Sequence, residues 1–415
     1  MRPGFRDVPR APVIRCVAAL WLFALGVTAP AQAAAPLPPS STPLGTRPTL
    51  EEVRHGMARP SHGATRGRID STGYALTADQ MAKVWERSGA PPAPDTFGVA
   101  LAGPEAFGGS AGTAAGTGAA LVICPHDDFS FAGRVYRRVL PLVHARTVVL
   151  VGVFHRYRRF AEHDRMVFDP YREWSAPDGP VPVSSLRGAL LRRLPRADWT
   201  QDTTAHDLEH SLEPLVCWLR HIRPDLEIVP IIVPASRFDR LEELGDHLAM
   251  ALAGEMRARG WQLGRDVAIA ISADAIHYGP DFNQVAFGAG GVDAYNQAVA
   301  KDRGLLTGPL SGPLTIGKIR TLYETFVDPD TPDNYRWTWC GRFSVPLGLL
   351  TLERLTRDSG GANGTPVAYG TSIGWPEVGL RDIGMAPTAP SNLYHFVGYP
   401  GVAYATPAPA AGGRK

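Results

Sequence analysis

Three histidines each follow an apolar segment, at the position where a buried β-strand would end. His126 follows LVIC, His155 follows VVLVGVF, and His277 comes shortly after VAIAIS. In open parallel α/β sheets, ligands bind at the carboxyl ends of the strands. Since strands that end in this way can meet at one sheet edge, the sequence predicts a single pocket that contains the three imidazoles.

Cys340 adds a sulfur ligand to this set. Neutral imidazole and thiolate both bind zinc, copper and ferrous iron. The four residues lack the local spacing of a zinc finger, so the fold itself must assemble the site, which suits catalysis better than structural stapling. Three protein ligands would leave a coordination position for water, oxygen or substrate. The remaining histidine would then be available as a general acid or base.

The state of Cys340 is open at this level. It precedes a predicted helix, whose N-terminal dipole, together with a nearby metal or histidine, would lower the pKa of the thiol and favour thiolate. The alternative is a disulfide with Cys217 or Cys124, which an exported protein permits.

Two further groups could contribute to a pocket. His210 lies off the apolar face of a helix predicted over residues 207–222, so it either faces solvent or points into the pocket. The arginines at 156, 158 and 159 either clamp a carboxylate or phosphate of a substrate or belong to a solvated loop.

The elements that must position these residues alternate between strand and helix from residue 119 onward. This pattern is typical of an α/β fold, in which helices cover both faces of a mostly parallel sheet. Pro230 interrupts the strand predicted at 227–233, which favours an edge or bulged position for that strand. The other predicted elements are strands at 119–124, 147–153, 267–272 and 365–369, a short strand or hairpin at 166–183, helices at 77–88, 132–143, 184–194, 207–222, 238–258, 291–302 and 312–326, and a last helix that starts just after Cys340-Gly341 and runs to 355.

Composition bounds the class of protein. The chain has 415 residues, of which 44% are hydrophobic and 20% charged, enough apolar residues for a large core. The net charge is only +2, so nothing in the charge balance calls for nucleic acid or an anionic membrane as a partner. We expect a small-molecule substrate instead, and the sequence leaves the oligomeric state open.

The chain divides into four segments. Residues 1–33 combine several arginines, the apolar stretch CVAALWLFALGV and a final Ala-Gln-Ala, the layout of a secretory signal peptide, so we expect a periplasmic or secreted protein. The apolar stretch is shorter than the ~20 residues of a membrane span. We expect residues 34–65 to be a disordered Pro- and Ala-rich lead, 66–385 the α/β domain, and 386–415 a flexible tail.

Five motifs resemble the Memo family, also called AmmeMemoRadiSam system protein B, and the resemblance runs from about Gly73 to Thr371. The motifs are, in order, PHDDFSFAG (125–133), GVFH (152–155), EHSLE (209–213), ISADAIHYG (271–279) and CGR (340–342). The family is similar in fold to class III extradiol dioxygenases of the LigB-like superfamily, α/β proteins with a non-haem iron site at the sheet edge.

The resemblance implies roles for the candidate residues. It makes His126, His155 and Cys340 the metal ligands. It puts His277 where the dioxygenase-like relatives keep an acid/base histidine, with Asp274 and His210 nearby. This implied site coincides with the one inferred from the strand ends.

The sequence departs from the related patterns at two points. Asp127 and Asp128 replace the Ala-Gly that family members usually have after the first histidine. Their carboxylates could be extra ligands, partners of a ligand histidine, or a helix cap. Cys340, as in the family, stands where extradiol dioxygenases use a carboxylate, which favours copper(I), zinc or iron with altered redox chemistry. Ring cleavage of catechols therefore does not follow from the resemblance.

Three functions fit the sequence. The first is a metal-dependent redox enzyme that binds iron(II) or copper(I), with zinc as a further option, and uses His277 to move protons during oxidation of a small substrate. The second is a non-catalytic periplasmic protein that sequesters copper or another metal. The third is an interaction scaffold without bound metal.

Overall fold

Four apolar strands form the centre of a ten-stranded sheet in a computed structural model of the chain, which describes residues 47–89 and 117–407. The predicted signal peptide lies outside the described residues. The strands, in chain order, are β1 (Thr65–Arg66), β2 (Leu121–Cys124), β3 (Thr147–Val153), β4 (Met166–Phe168), β5 (Glu173–Trp174), β6 (Val181–Pro182), β7 (Trp199–Gln201), β8 (Glu227–Val233), β9 (Val267–Ser272), β10 (His277–Tyr278), β11 (Gly312–Pro313), β12 (Asn363–Thr371) and β13 (Phe396–Ala405).

The large sheet is mixed. Its order is β11-β12-β13-β2-β9-β3-β8-β4-β7, and β10 pairs with β13. The central strands β2, β9, β3 and β8 run parallel, whereas β13 is antiparallel to β2 and β4 is antiparallel to β8. The predicted α/β class is confirmed. Because β2, β9 and β3 are parallel neighbours, the segments that follow them leave the sheet at the same edge.

Helices pack against this sheet. Those nearest the site are α3, which contacts β12 and β13, and α11, which contacts β9 and β3. The helices are α1 (Leu50–His55), α2 (Ala78–Ser88), α3 (Phe129–Val139), α4 (Tyr157–Phe160), α5 (Ser185–Arg193), α6 (Thr203–Leu208), α7 (Glu213–Ile222), α8 (Phe238–Arg259), α9 (Val292–Thr307), α10 (Ile316–Phe326) and α11 (Ser344–Thr356).

The helix predicted over 207–222 is in fact two helices, α6 and α7, joined by residues 209–212. Pro214 lies in the first turn of α7, where the missing N–H of proline costs nothing but where a continuous helix would lose a hydrogen bond. The Ser211 hydroxyl donates to the Val153 carbonyl at 2.8 Å and ties this turn to the end of β3. A Cβ on Gly152 would lie 2.7 Å from Leu212, so glycine is required for the close approach.

The prediction that Pro230 puts its strand at an edge or bulge is wrong. β8 lies between β3 and β4 in the sheet. The β4 ladder pairs only with Ile231 and Ile232, and the Pro230 carbonyl accepts from the Asp169 N–H beyond its end at 3.3 Å. The nitrogen of Pro230 therefore lies beyond the end of the β4 ladder, where the sheet needs no N–H donor.

The prediction of a flexible tail from residue 386 is also wrong for most of that segment. Residues 396–405 form β13, which lies inside the sheet between β12 and β2. Gly398, Pro400 and Gly401 weaken the strand signal in this sequence. The structure uses one of these glycines for packing, since a Cβ on Gly401 would lie 2.6 Å from Val139 of α3.

The predicted disordered lead, 34–65, is partly folded. Its described part contains α1, which begins with a capping box formed by Thr49 and Glu52. A second capping box, of Thr77 and Gln80, begins α2 at the predicted residue. In residues 47–89 and 117–407, no helix has both the length and the apolar character required to cross a bilayer.

Candidate metal centre

His126, His155 and Cys340 converge at the carboxyl edge of the central strands. His126 follows β2, His155 follows β3, and Cys340 lies in the turn before α11. Their ligand atoms lie within 4.8 Å of one another, and Nε2 of His126 is 3.7 Å from Sγ of Cys340. Bonds of ~2.0–2.3 Å in a tetrahedral zinc-type site separate neighbouring ligand atoms by roughly 3.3–3.8 Å. The three residues therefore fit around one metal ion.

A buried serine fixes the orientation of the His126 ring. The Ser272 hydroxyl donates its single proton to the Ser211 carbonyl at 2.5 Å. It must therefore accept from Nδ1 of His126, which lies 2.6 Å away. Nδ1 carries the proton and Nε2 keeps its lone pair toward Cys340. Burial, with the charges of neighbouring histidines, lowers the pKa of His126 well below its usual range, so the ring is neutral, as a ligand must be.

A buried carboxylate does the same for His155. Glu209 Oε1 accepts from Nδ1 of His155 at 2.9 Å, and Oε2 accepts from its backbone N–H at 2.7 Å. Burial favours the neutral acid, but the charge and hydrogen bond of His155, the charge of His210 and the Ser211 N–H outweigh it and lower the pKa of Glu209 to about 2. An ionised Glu209 holds the proton on Nδ1 and leaves Nε2 for a metal, the carboxylate–histidine arrangement of metal sites.

His210 lies beside the two ligand histidines, as the resemblance implies. Its ring centroid is 5.6 Å from that of His126 and 5.1 Å from that of His155. Burial lowers its pKa, but the Asp70 carboxylate, 3.3 Å from Nδ1, and Glu209 raise the pKa of His210 to about 9. His155, Glu209 and His210 form a second group of closely spaced ligand atoms. Because His210 is protonated and Glu209 is bonded to His155, this group suits anion binding better than metal binding.

Asp274 contacts both His126 and Cys340. Its Oδ1 accepts from the His126 N–H at 2.9 Å, and its Oδ2 lies 3.3 Å from Nε2 of His126. Since that nitrogen is an acceptor, the second contact needs a proton or a cation between the two atoms. Burial and the charge of Asp127 raise the pKa of Asp274 well above its usual range, so in the metal-free chain the carboxyl group supplies this proton.

Cys340 is a free, buried thiol, so the alternative of a disulfide is not realised. It accepts from the Asp274 N–H at 3.0 Å. Burial raises the pKa of the Cys340 thiol well above its usual range in the metal-free chain, so the predicted lowering of this pKa depends on a bound metal. The helix begins four residues later, at Ser344, and helix-end charges act only within about a turn. The charge that favours thiolate must come from a bound cation.

His277 faces the same space without belonging to the ligand group. Its Nδ1 lies 3.1 Å from the Ala275 carbonyl and 3.2 Å from the Thr338 carbonyl. Two acceptors at Nδ1 require a proton there, so Nε2 of the neutral ring is the acceptor that remains. Burial lowers the pKa of His277 below its usual value, despite the opposing charge of Asp127.

Neither Asp127 nor Asp128 is the partner of a ligand histidine or a side-chain cap of a helix. Asp127 accepts from Tyr399 Oη at 2.7 Å, and Asp128 accepts from the Thr388 N–H at 2.6 Å. Neither bonds a ligand imidazole, and Asp128, at the N-cap of α3, makes no side-chain capping bond. Burial and the charge of Asp127 raise the pKa of Asp128 to about 7. The ligand group of His126, His155 and Cys340 contains neither aspartate.

These side chains line one cavity of about 340 Å³, which we call the histidine cavity. It contains His126, His155, His210 and His277, together with four aspartates and several aromatic rings. No local sequence signal selects Asp70 or Tyr399 of this lining: Asp70 lies near the start of the predicted α/β domain, and Tyr399 lies in the predicted tail. Ser272, which bonds His126 but does not belong to the lining, is one of many serines. The lining comprises Asp70, Tyr74, His126, Asp127, Asp128, Phe131, His155, His210, Asp274, His277, Phe282, Ser372, Thr388, Ala389, Pro390, Ser391, His395, Val397 and Tyr399.

The chain is similar to known proteins over this region. The family described as Memo-like protein matches residues 105–374. The chain is 29% identical over 160 residues to a MEMO1 family protein of Archaeoglobus fulgidus, which is 38% of this chain and 55% of that protein. It is 28% identical over 176 residues to one of Thermococcus onnurineus, or 40% and 56% of the two chains. The chain thus spans about half the length of these curated relatives.

The family match contains every predicted site residue, from His126 to Cys340, whereas Asp70 and Tyr399 lie outside it. The match also covers the central strands β2, β9, β3 and β8, which set the positions of the ligand histidines. With more than half of the sequence matched, the chain belongs to the family of Memo-like proteins.

Proposed function

We propose that this chain is a redox enzyme that depends on one transition-metal ion, iron(II) or copper(I), held by His126, His155 and Cys340. The observation that carries the proposal is the pair of imidazoles whose Nδ1 protons are committed to Ser272 and Glu209. Both rings are thereby oriented for coordination through Nε2, beside a free thiol. Histidines that bind a metal almost always donate their other ring N–H to such a partner.

A bound ion of this type supplies Lewis-acid and electron-transfer chemistry. The remaining side chains of the histidine cavity provide proton transfer and charge. His277 accepts or returns a proton at Nε2, because its Nδ1 is held by two carbonyls. His210, protonated through Asp70, offers a cationic donor to an anionic group of the substrate. Asp274 presents Oδ2 next to His126. From this position it would hydrogen-bond a substrate that lies beside the ligands.

The cavity limits the size of the substrate. At about 340 Å³ it lies at the small end of ligand pockets. Phe131, Phe282, Tyr74 and Tyr399 contribute flat apolar surface to its walls. A small substrate with an aromatic ring suits these walls, and the catechols tested below are chosen on this basis.

The first test measures metal content and oxygen uptake in the same preparations. Purified protein is analysed for bound metals, loaded with iron(II) or copper(I), and assayed for oxygen consumption with a panel of catechols. We expect one metal ion per chain. Cys340→Ser should lose this metal, whereas the matched control Cys217→Ala, another buried free cysteine, should retain it.

The second test separates catalysis from metal retention. His277→Ala should keep the metal and lose oxygen uptake, whereas the exposed His62→Ala should change neither. Stoichiometric metal without oxygen or substrate consumption under any condition would reject the enzyme and favour metal sequestration. Absence of bound metal after loading would reject both and leave a scaffold.

We also propose that the protein works outside the cytoplasm, on the basis of the signal-peptide layout of residues 1–33. Fractionation of the native host, with N-terminal sequencing of the mature chain, tests this location. A mature chain that begins with residues 1–33 intact and remains in the cytoplasm would reject it.

A further inference from the structure

A second cavity lies against His155 and Cys340, two of the three ligand residues of the proposed metal centre. Its volume is about 140 Å³, room for roughly five water molecules at ~30 Å³ each. Four guanidinium groups and one carboxylate line it, those of Arg156, Arg158, Arg159, Arg342 and Asp333. We call it the arginine cavity.

Arg342 is the residue that points to a ligand. Its side chain is only 4% exposed, and its guanidinium carbon lies 3.6 Å from the ring centroid of Tyr335 and 4.8 Å from that of Phe343. Nη2 donates to Tyr157 Oη at 3.3 Å. Nη1 is buried and has no hydrogen-bond partner in the part of the chain that is described. Arginine cannot release its proton, so an unpaired buried N–H of this group is costly.

Asp333 indicates which kind of acceptor the cavity receives. Its carboxylate accepts from Tyr157 Oη and lies 3.7 Å from Nε of Arg158. The side chain is 48% exposed, so it sits at the solvent side rather than beside Nη1 of Arg342. Among the described residues, the lining of this cavity contains more arginines than carboxylates. A second carboxylate, planar and able to accept two parallel N–H bonds, matches the geometry of arginine.

We propose that the arginine cavity binds the carboxylate of a small organic acid, with the guanidinium group of Arg342 as the main donor. Because His155 and Cys340 form part of its wall, the acid lies next to the metal centre. The binding site stands on the geometry of Arg342 alone. The further claim that such acids are the substrates of this chain rests on the proposed function.

Binding is tested on metal-free protein by calorimetry with propionate, which has about five heavy atoms, and with uncharged propionamide as the isosteric control. We expect propionate to bind at least tenfold more tightly than propionamide. Arg342→Gln should remove at least tenfold of the propionate affinity. Arg342→Lys keeps the charge but not the planar pair of donors, so its affinity for propionate should lie between those of the wild type and Arg342→Gln.

Two further variants keep the test decisive if Arg342→Gln fails to fold. Asp333→Asn removes the competing carboxylate and should raise propionate affinity two- to tenfold. Arg336→Gln, at an exposed arginine outside the cavity lining, should leave it unchanged. Equal binding of propionate and propionamide, or an Asp333→Asn variant with unchanged or weaker propionate binding, would overturn the proposal.

Repeating the titration on zinc-loaded protein separates this proposal from the proposed function. If the chain binds no zinc on loading but still prefers propionate, the anion site is supported and only the metal enzyme is rejected. Stoichiometric metal with no propionate preference rejects the anion site and leaves the metal centre intact.

Discussion

The two cavities share His155 but differ in how certain buried nitrogen donors are paired. In the histidine cavity, the Nδ1 atoms of His126 and His155 each have a buried acceptor, Ser272 and Glu209. In the arginine cavity, Nη1 of the buried Arg342 has none among the described residues. Natural proteins satisfy nearly all buried polar groups, so an exception requires an explanation such as strain, an ordered water, an ion or a ligand.

This contrast indicates that the two cavities have different roles beside one metal ion. The histidine cavity is preorganised, because the protein itself fixes the tautomers of the ligands before metal arrives. The arginine cavity is incomplete, because part of its hydrogen bonding requires an anion from solution. Changes to the first should act on metal affinity, and changes to the second on anion affinity, with little effect of either on the other.

Glu209→Gln should produce the largest effect on the histidine cavity. Loss of the carboxylate removes the acceptor that fixes Nδ1–H of His155, and such partners are worth about 10- to 100-fold in metal affinity. Zinc affinity, measured by competition with a chromophoric chelator, should fall by that factor. Propionate affinity should not change, because Glu209 does not line the arginine cavity.

The exposed Glu243→Gln on α8 serves as the control for Glu209→Gln, since its carboxylate pairs only with Arg240 among the described residues. Zinc binding equal to wild type in the Glu209 variant would mean that the carboxylate does not orient the ligand. Weakened propionate binding in the same variant would mean that the two cavities are not independent.

The ligands could be predicted from sequence because strand ends are visible in it. The segments before His126 and His155 are uninterrupted apolar runs, and these became the parallel strands β2 and β3, which lie on either side of β9. The order of the motifs then selected Cys340. For the two histidines, a local signal, an apolar strand followed by a metal-binding residue type, corresponds directly to a position at the sheet edge.

The partners of the ligands could not be predicted, because their positions depend on tertiary packing. Glu209 lies on a turn that the 3.6-residue periodicity of 207–222 concealed, and Pro214 was the local sign that this helix breaks. Tyr399 lies on β13, whose glycines and proline suppress the strand signal until packing against α3 is known. Nothing local distinguishes Arg342 from the many exposed arginines, since its burial comes from Tyr335 and Phe343.

Ser272→Ala should weaken zinc binding about tenfold, at the lower end of the range for such partners. The serine oxygen is the only acceptor for Nδ1 of His126 among the described residues. Without it the ring can adopt the other tautomer, with its proton on Nε2. The ¹⁵N shifts of labelled histidine report the tautomer, and zinc competition reports the affinity.

Ser344→Ala is the matched control for Ser272→Ala. Ser344 is also buried and donates to the Ser272 carbonyl at 3.2 Å, but it makes no contact with His126. Unchanged tautomer populations in Ser272→Ala would contradict the role assigned to the hydroxyl, even if the variant were less stable.

Asp70→Asn tests the cation in the histidine cavity and should move the pKa of His210 by more than one unit. The Asp70 and Glu209 carboxylates raise the pKa of His210 from the ordinary 6.5 to about 9, against the effect of burial. A raised folded-state pKa stabilises the fold fully below about 6.5 and loses this effect as the pH rises through about 9. In Asp70→Asn, histidine NMR titration of metal-free protein should place the transition well below 8, and the thermal stability should lose its decline between pH 6.5 and 9. A transition still near 9 would assign the shift to Glu209 alone.

Arg156→Gln should have the smallest effect, on the arginine cavity. Arg156 is exposed, so water and salt screen its attraction for an anion, and exposed charge pairs are worth at most about 1 kcal/mol. Propionate affinity should fall less than about threefold at low salt, and the difference from wild type should vanish near ~1 M salt, where the Debye length is ~3 Å. The loss in Arg342→Gln should persist at that salt concentration, because its donor is buried and acts through a direct hydrogen bond. If both losses vanish together in high salt, the cavity attracts anions only through its net charge, and Nη1 of Arg342 has no specific partner.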